Sequence, residues 1–329
     1  MTLNPLGLSP DGLSPDGLSH VGSSPNPNAF SLREEGKGDS SMVFPRKPEP
    51  GEWRDLIAAF PSLDFGDVWI TAPQTEAYNC LAWTLGITNR WIWPWPGLPM
   101  VGASQFNELY RSHGFDIGTP AKVLGWGITL HNMTHGSIRY AGSLGRPNLW
   151  ESKLGRSWRI THSLDGLRGA TYGTPLLNYV ERMSGATAMV MPDETLPSLT
   201  MEEEAAIRET AAQVPLPTRL AFEGAFSAWR DTWRNPDVAL SSNPAMVMAV
   251  PEFRTLLEMG PSILPLVVAQ LMDPSLFFAL QLYDELQRRY GGPVGRAQII
   301  GYGPSDPQIL EGEQGRCVRT LRVWLAAHS

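Results

Sequence analysis

The sequence predicts an α+β unit built on an antiparallel sheet, followed by an all-α unit. Short segments between positions 123 and 181 approach a period of two in their apolar residues, the mark of half-buried strands. Turns bearing Gly142, Gly145, Pro147, Gly155, Gly169 and Gly173 separate these segments, so consecutive strands can pair antiparallel. From about position 200 onward the chain reads as helix after helix, broken at the Gly260-Pro261 pair.

Taken in order, residues 1–48 form a Ser/Pro/Gly/Asp-rich leader. The segment Leu8-Ser9-Pro10-Asp11-Gly12 recurs at 13–17 and decays by Gly22, and such a composition buries too little apolar area to offset chain entropy. Residues 52–60 fit a short helix with Trp53, Leu56, Ile57 and Phe60 on one face, and Pro61, Gly66-Asp67 and Pro73 then break the chain into loops. A helix is expected over 80–86, ending at Gly86. Pro94 and Pro96 forbid a helix interior, which leaves Trp91, Trp93 and Trp95 in a rigid aromatic loop. The next helix spans 104–113, with Ser104 as its N-cap and Gly114 at its end.

Strands are expected near 123–130, 135–140, 149–152, 158–161 and 176–181. Residues 184–199 read as a linker. Helices follow at 201–213, 220–234, 251–259, 262–272, 275–290 and 316–327. The domain boundaries are therefore 49–183 for the α+β unit and 200–329 for the helical one.

Composition narrows the function. With 329 residues, 42% of them apolar, the chain can bury a full core. A net charge of -7 and a pI near 5.4 argue against a nucleic-acid surface, which wants a basic stripe. No apolar run is long enough for a membrane span, and the N-terminus has no secretory h-region. The protein is expected in the cytoplasm, or outside the cell by a route independent of a signal peptide. Cys80 and Cys317 stand far apart and outside any CxxC pattern, so neither a disulfide framework nor a cysteine metal site is indicated.

The chemistry gathers at Tyr78-Asn79-Cys80-Leu81-Ala82-Trp83. A cysteine in the first turn of a helix has its thiolate favoured by the helix dipole and by a neighbouring imidazole. His135, read as opening a strand at the sheet edge, is the candidate base. Its orienting partner should sit on a neighbouring strand, where Ser152 and His162 are the candidates. Beside the backbone N–H of Cys80, Asn79 or Gln74 could donate to an oxyanion. Trp83, Trp91 and Trp93 are candidates for the wall of a substrate cleft. The competing readings are a buried structural cysteine and aromatics that simply fill the core.

His131 and His135 have the spacing of a metal pair. A zincin helix needs Glu after its first His, where this chain has Asn132, and Thr129, Thr134 and Gly136 disfavour a helix. No metal site and no cofactor are expected.

The segments Tyr78–Trp83, Thr134-His135-Gly136, Trp150-Glu151-Ser152-Lys153-Leu154-Gly155, and Ile160-Thr161-His162 with Tyr172-Gly173 together resemble a bacterial family of presumed cysteine peptidases, papain-like or NlpC/P60-like. The resemblance covers roughly residues 50–183. It implies a papain-like domain in which a nucleophile helix packs on an antiparallel sheet, with Cys80 as nucleophile, His135 as base, and Ser152, Lys153 or His162 as the third member. The Gly260-Pro261 turn, for its part, resembles a single HEAT-like hairpin.

The sequence thus points to a cysteine-dependent amide hydrolase (peptidase, amidase or deamidase) acting on protein or peptide, with a bacterial effector or toxin as one setting for that chemistry. The rival reading is an inactive papain-like scaffold that binds partners through its helical domain.

Overall fold

A computed structural model describes residues 43–94, 100–182 and 196–328. The leader up to residue 42, Trp95 and most of the expected linker lie outside the described residues. The molecule is α+β in its N-terminal half and helical from residue 201. Seven strands form one sheet: β1 (Ile70–Ala72), β2 (Phe115–Ile117), β3 (Val123–Thr129), β4 (Asn132–Arg139), β5 (Trp150–Lys153), β6 (Arg159–His162) and β7 (Thr174–Glu181). Their order is β1-β6-β5-β4-β3-β7-β2, and every neighbouring pair is antiparallel. All five expected strands are present, and the sheet gains β1 and β2 as three-residue edges.

Three helices accompany the sheet: α1 (Pro50–Ala59), α2 (Cys80–Thr84) and α3 (Ala103–Ser112). The cap of α3 is Gly102, not the expected Ser104. Gln105 supplies the polar group from inside the helix, its Oε1 accepting the Gly102 N–H at 3.1 Å. The leader boundary also moves. Arg46 exchanges backbone hydrogen bonds with Ile70 at 3.0 and 2.8 Å, so the chain already joins the edge of β1 before residue 48.

Each face of the sheet carries its own apolar core. Leu81, Phe106 and Tyr110 pack with Val123, Met133 and Tyr179 on the α2/α3 face. Leu56 and Phe60 of α1 pack with Leu124, Trp126, Ile160 and Tyr172 on the other. Alternation along β3 and β4 sorts side chains between the two cores.

The helical region comprises α4 (Met201–Ala212), α5 (Leu216–Thr232), α6 (Pro236–Ala239), α7 (Pro251–Glu258), α8 (Leu264–Gln270), α9 (Ala279–Tyr290), α10 (Gly292–Ala297) and α11 (Gly312–His328). Before the Gly-Pro turn α7 packs on α5 and α9, whereas past it α8 packs on α4 and α9. A third core, including Trp229, Trp233, Phe253, Leu282 and Trp324, fills this bundle. No helix among the described residues is long and apolar enough to cross a membrane.

The two regions share an aromatic anchor. Trp91 sits in the helical core against Phe277 and Phe278, its ring centroid 5.3 and 5.6 Å from theirs. Its backbone N–H donates to Gln314 Oε1 at 2.8 Å, and its carbonyl accepts from Glu313 N at 2.8 Å. In return, Tyr302 and Ile309 enter the core under α2 and α3.

Candidate active site

Asn79 starts the site by starting its helix. Its Oδ1 accepts from Ala82 N at 3.1 Å, the bond that caps α2. The same oxygen accepts from Ile92 N at 3.2 Å, and Nδ2 donates to Ile92 O at 2.6 Å. Both ends of the amide are thus committed to capping the helix and clamping the aromatic loop. This corrects the expectation that Asn79 donates to an oxyanion. Gln74, the other oxyanion candidate, lies half-buried in the loop between β1 and α2.

Cys80 follows in the first turn of α2 and is fully buried. Its Sγ lies 3.0 Å from Ser242 Oγ, and the backbone N–H groups of Gly136 and Leu81 point at it. Those donors favour a thiolate, but burial outweighs them and pushes the thiol up to about 11. At neutral pH it is therefore protonated.

His135 lies within the central strand β4, not at a strand start on the sheet edge. The Gly136 N–H reaches the thiol, so Cys80 Sγ rests against the His135–Gly136 peptide. The imidazole does not follow. At Gly136 a Cβ would meet Tyr110 and Leu81, which places position 136 on the α2/α3 face. Alternation then sends the His135 ring to the opposite face, where it stacks on Tyr172 at 3.9 Å and 8°. Neither ring nitrogen meets a hydrogen-bond partner, and burial holds the ring's pKa well below its ordinary value. Cys80 thus meets the backbone beside His135 but shares no hydrogen bond with its imidazole.

Ser152 and His162 pair with each other rather than orienting His135. A tryptophan can only donate and a carbonyl can only accept, so both ends of their network fix its direction. Trp126 Nε1–H donates to Ser137 Oγ at 2.8 Å, Ser137 to Ser152 at 2.7 Å, and Ser152 to His162 Nε2 at 2.8 Å. His162 Nδ1–H closes the chain on Ser163 O at 2.7 Å. Burial lowers His162 to about 4, and the network holds it as one neutral tautomer. Ser152→Ala removes a donor and an acceptor together, stranding His162 Nε2 and the Ser137 hydroxyl. A loss of about 1–3 kcal/mol is expected in urea unfolding.

Lys153, next in β5, turns to the other face and is fully buried. Its Nζ donates to Thr75 O, Gly155 O and Ser157 O at 2.8, 2.7 and 2.7 Å. Burial presses its pKa down, yet three carbonyl acceptors match the three protons of an ammonium. The amine is close enough for its charge to act on Cys80.

The tryptophans divide. Trp91 and Trp93 are core residues, 0% and 2% exposed, which corrects their assignment to a cleft wall. Trp91 anchors the helical bundle, and Trp93 packs edge-on against Phe106 at 6.1 Å. Trp83 is half-buried beneath the Arg159 guanidinium at 3.8 Å, and the pair lines an open cavity of about 430 Å³. That cavity does not reach Cys80.

A segment of the helical region closes the site. Arg156 N donates to Ala239 O at 2.7 Å, Tyr172 Oη to Leu240 O at 2.7 Å, and Trp91 Nε1 to Ser242 O at 2.8 Å. Gly155, at φ +52°, lets this segment come close, since a Cβ there would stand 2.3 Å from Ala239 O. Ser242 lies 162 residues from Cys80, and nothing local in the sequence announces their contact. Tyr172 is visible as an aromatic beside a glycine, but its stacking partner is not.

Residues 69–180 match the model of a family described as "Domain of unknown function (DUF7689)". That span runs from the edge of β1 into β7 and contains Cys80, His135, Ser152, Lys153 and His162. No curated protein and no solved structure matches the chain. Among the described residues, no group of three or more His, Cys, Asp or Glu side chains is placed to hold a metal ion.

Proposed function

We propose that the chain is a cysteine-dependent amide hydrolase with a papain-like catalytic unit, in a closed resting form. The observation that carries this reading is the position of Cys80. Its sulfur sits in the first turn of an Asn79-capped helix, receives two backbone N–H groups, and lies against the peptide of His135. The imidazole of His135 is fully buried with both nitrogens unpaired. A buried polar group left this way costs about 1–3 kcal/mol.

In the working form β4 rearranges at its irregularity, where Trp126 pairs with His135 and Gly127 with Met133. This carries the ring from the Tyr172 face to the Cys80 face, where it takes the thiol proton. The thiolate attacks the amide carbonyl, and backbone N–H groups at the start of α2 bind the oxyanion. His135 returns the proton to the leaving amine as the C–N bond breaks, leaving a thioester on Cys80. Water attacks the thioester with His135 as base, the C–S bond breaks, and the proton returns to sulfur. No cofactor enters the cycle.

The test is turnover. Cys80→Ala and His135→Ala are each expected to lower kcat/KM for peptide cleavage by at least about 10³-fold, assayed with an unfolded protein substrate and mass detection of new termini. Cleavage that persists in purified Cys80→Ala would rule the reading out. One observation favours the rival reading, an interaction scaffold without turnover: the thiol is fully buried and bonded to Ser242. That reading predicts that Cys80→Ala leaves the protein's biological effect intact.

A further inference from the structure

We infer that the cleft beside Cys80 is a subsite for polypeptide backbone, filled in this closed form by the chain's own segment 239–242. The role of that cleft as a substrate site rests on the hydrolase reading above. Its occupancy rests on geometry alone.

The segment is held by its main chain. Three of its carbonyl oxygens are taken by three donors from separate parts of the α+β unit: the Arg156 N–H, the Tyr172 hydroxyl and the Trp91 indole. Recognition through carbonyls is indifferent to side-chain identity, as main-chain capture of a peptide must be. Gly155 adds the close approach, because any side chain there would collide with the Ala239 and Leu240 backbone.

Side chains supply the selectivity. Leu240 is 2% exposed and enters the α1-side core with Tyr172 and Leu154. Ser242, two residues on, is the residue that meets the sulfur. The subsite therefore fits a polypeptide with an aliphatic residue two positions before a small one. A small amide, with neither the carbonyl series nor the aliphatic side chain, would not replace the segment. The substrate class that follows is protein or peptide, and the segment holds the enzyme latent until it is displaced.

The experiment uses the full chain and measures the iodoacetamide labelling rate of Cys80 by peptide mass mapping. Leu240→Asp places a charge in the apolar pocket and should drive the segment out. Wild-type Cys80 is expected to label slowly, and the variant at least about tenfold faster. An octapeptide reproducing residues 238–245 should then slow labelling of the variant, while the same residues in scrambled order should not.

Two results would overturn the subsite: a folded variant whose Cys80 stays as protected as wild type, or an exposed Cys80 that the matched peptide protects no better than the scrambled one. If Leu240→Asp does not fold, Ser242→Ala combined with Tyr172→Phe releases two of the segment's contacts without adding a charge, and the same readouts decide. Peptide protection without any amide cleavage by the opened variant would keep the subsite and remove the hydrolase. Cleavage without protection would do the reverse.

Discussion

Arg316→Ala is expected to cost about 3–5 kcal/mol of folding stability, measured by urea unfolding. Arg316 is fully buried between two buried carboxylates. Its Nη1 donates to Asp284 Oδ2 at 2.9 Å, and its Nε and Nη2 donate to Glu313 Oε2 at 3.1 and 2.8 Å. A further bond reaches Ile300 O at 3.2 Å. Alanine removes the only positive charge of this trio and leaves two like charges in an apolar surround. The size of the loss measures that stranding, not the worth of the pair. Replacing all three by apolar residues of similar volume should therefore recover much of it.

The direction with pH gives a second check on the same variant. Burial already raises Glu313 in the wild type, and without the guanidinium it rises further. A carboxyl raised in the folded state favours folding when protonated, so Arg316→Ala should regain stability as pH falls toward 5. The effect reaches the site as well, because Glu313 and Gln314 are the residues that hold the Trp91 backbone.

The sheet was the more legible half of the fold. Segments of four or more residues set off by Gly- and Pro-bearing turns mark β3 to β7, whereas three residues, as in β1 and β2, show no period. The site was legible in its members and not in its assembly. Cys80 and His135 stand out by residue type, and the backbone does bring them together. Which face of β4 receives α2 is decided by packing at Gly136, where only a missing side chain admits Tyr110 and Leu81. The ring of His135 goes to the other face as a consequence.

Asn79 had a legible role that a catalytic reading obscured, since Asn immediately before a helix is first of all a cap. For Ser242 there was no local signal. Its contact with Cys80 exists because α6 ends where Gly155 leaves room, and that is a property of the folded chain.

The two site histidines should make the protein acid-labile in a way that can be assigned to each ring. His162 falls to about 4 in the folded state from an ordinary value near 6.5. The unfolded chain therefore binds the proton first, and stability is lost as pH falls from 6.5 through 4. At 1.36 kcal/mol per pH unit, that ring alone accounts for about 3 kcal/mol. His135, also depressed by burial, acts in the same direction. Together they set a limiting slope of about 2.7 kcal/mol per pH unit once both are protonated in the unfolded chain and still neutral in the folded one.

Urea unfolding from pH 8 to 4 should show this loss, and the variants should divide it. His162→Gln removes one titration, while His135→Phe removes the other and keeps a ring against Tyr172. The difference profile between wild type and variant isolates each histidine from the surface carboxylates, which titrate in both proteins. At the alkaline end the sign reverses for Cys80, whose thiol is raised to about 11 from near 9. Stability is then lost as pH climbs through that window, and Cys80→Ala should abolish that part of the loss. A difference profile that stays flat from pH 8 to 4 would mean that these rings take up protons inside the native ensemble. The closed arrangement, in which the segment 239–242 seals a neutral thiol and a neutral imidazole is stacked behind it, would then not be the dominant state in solution.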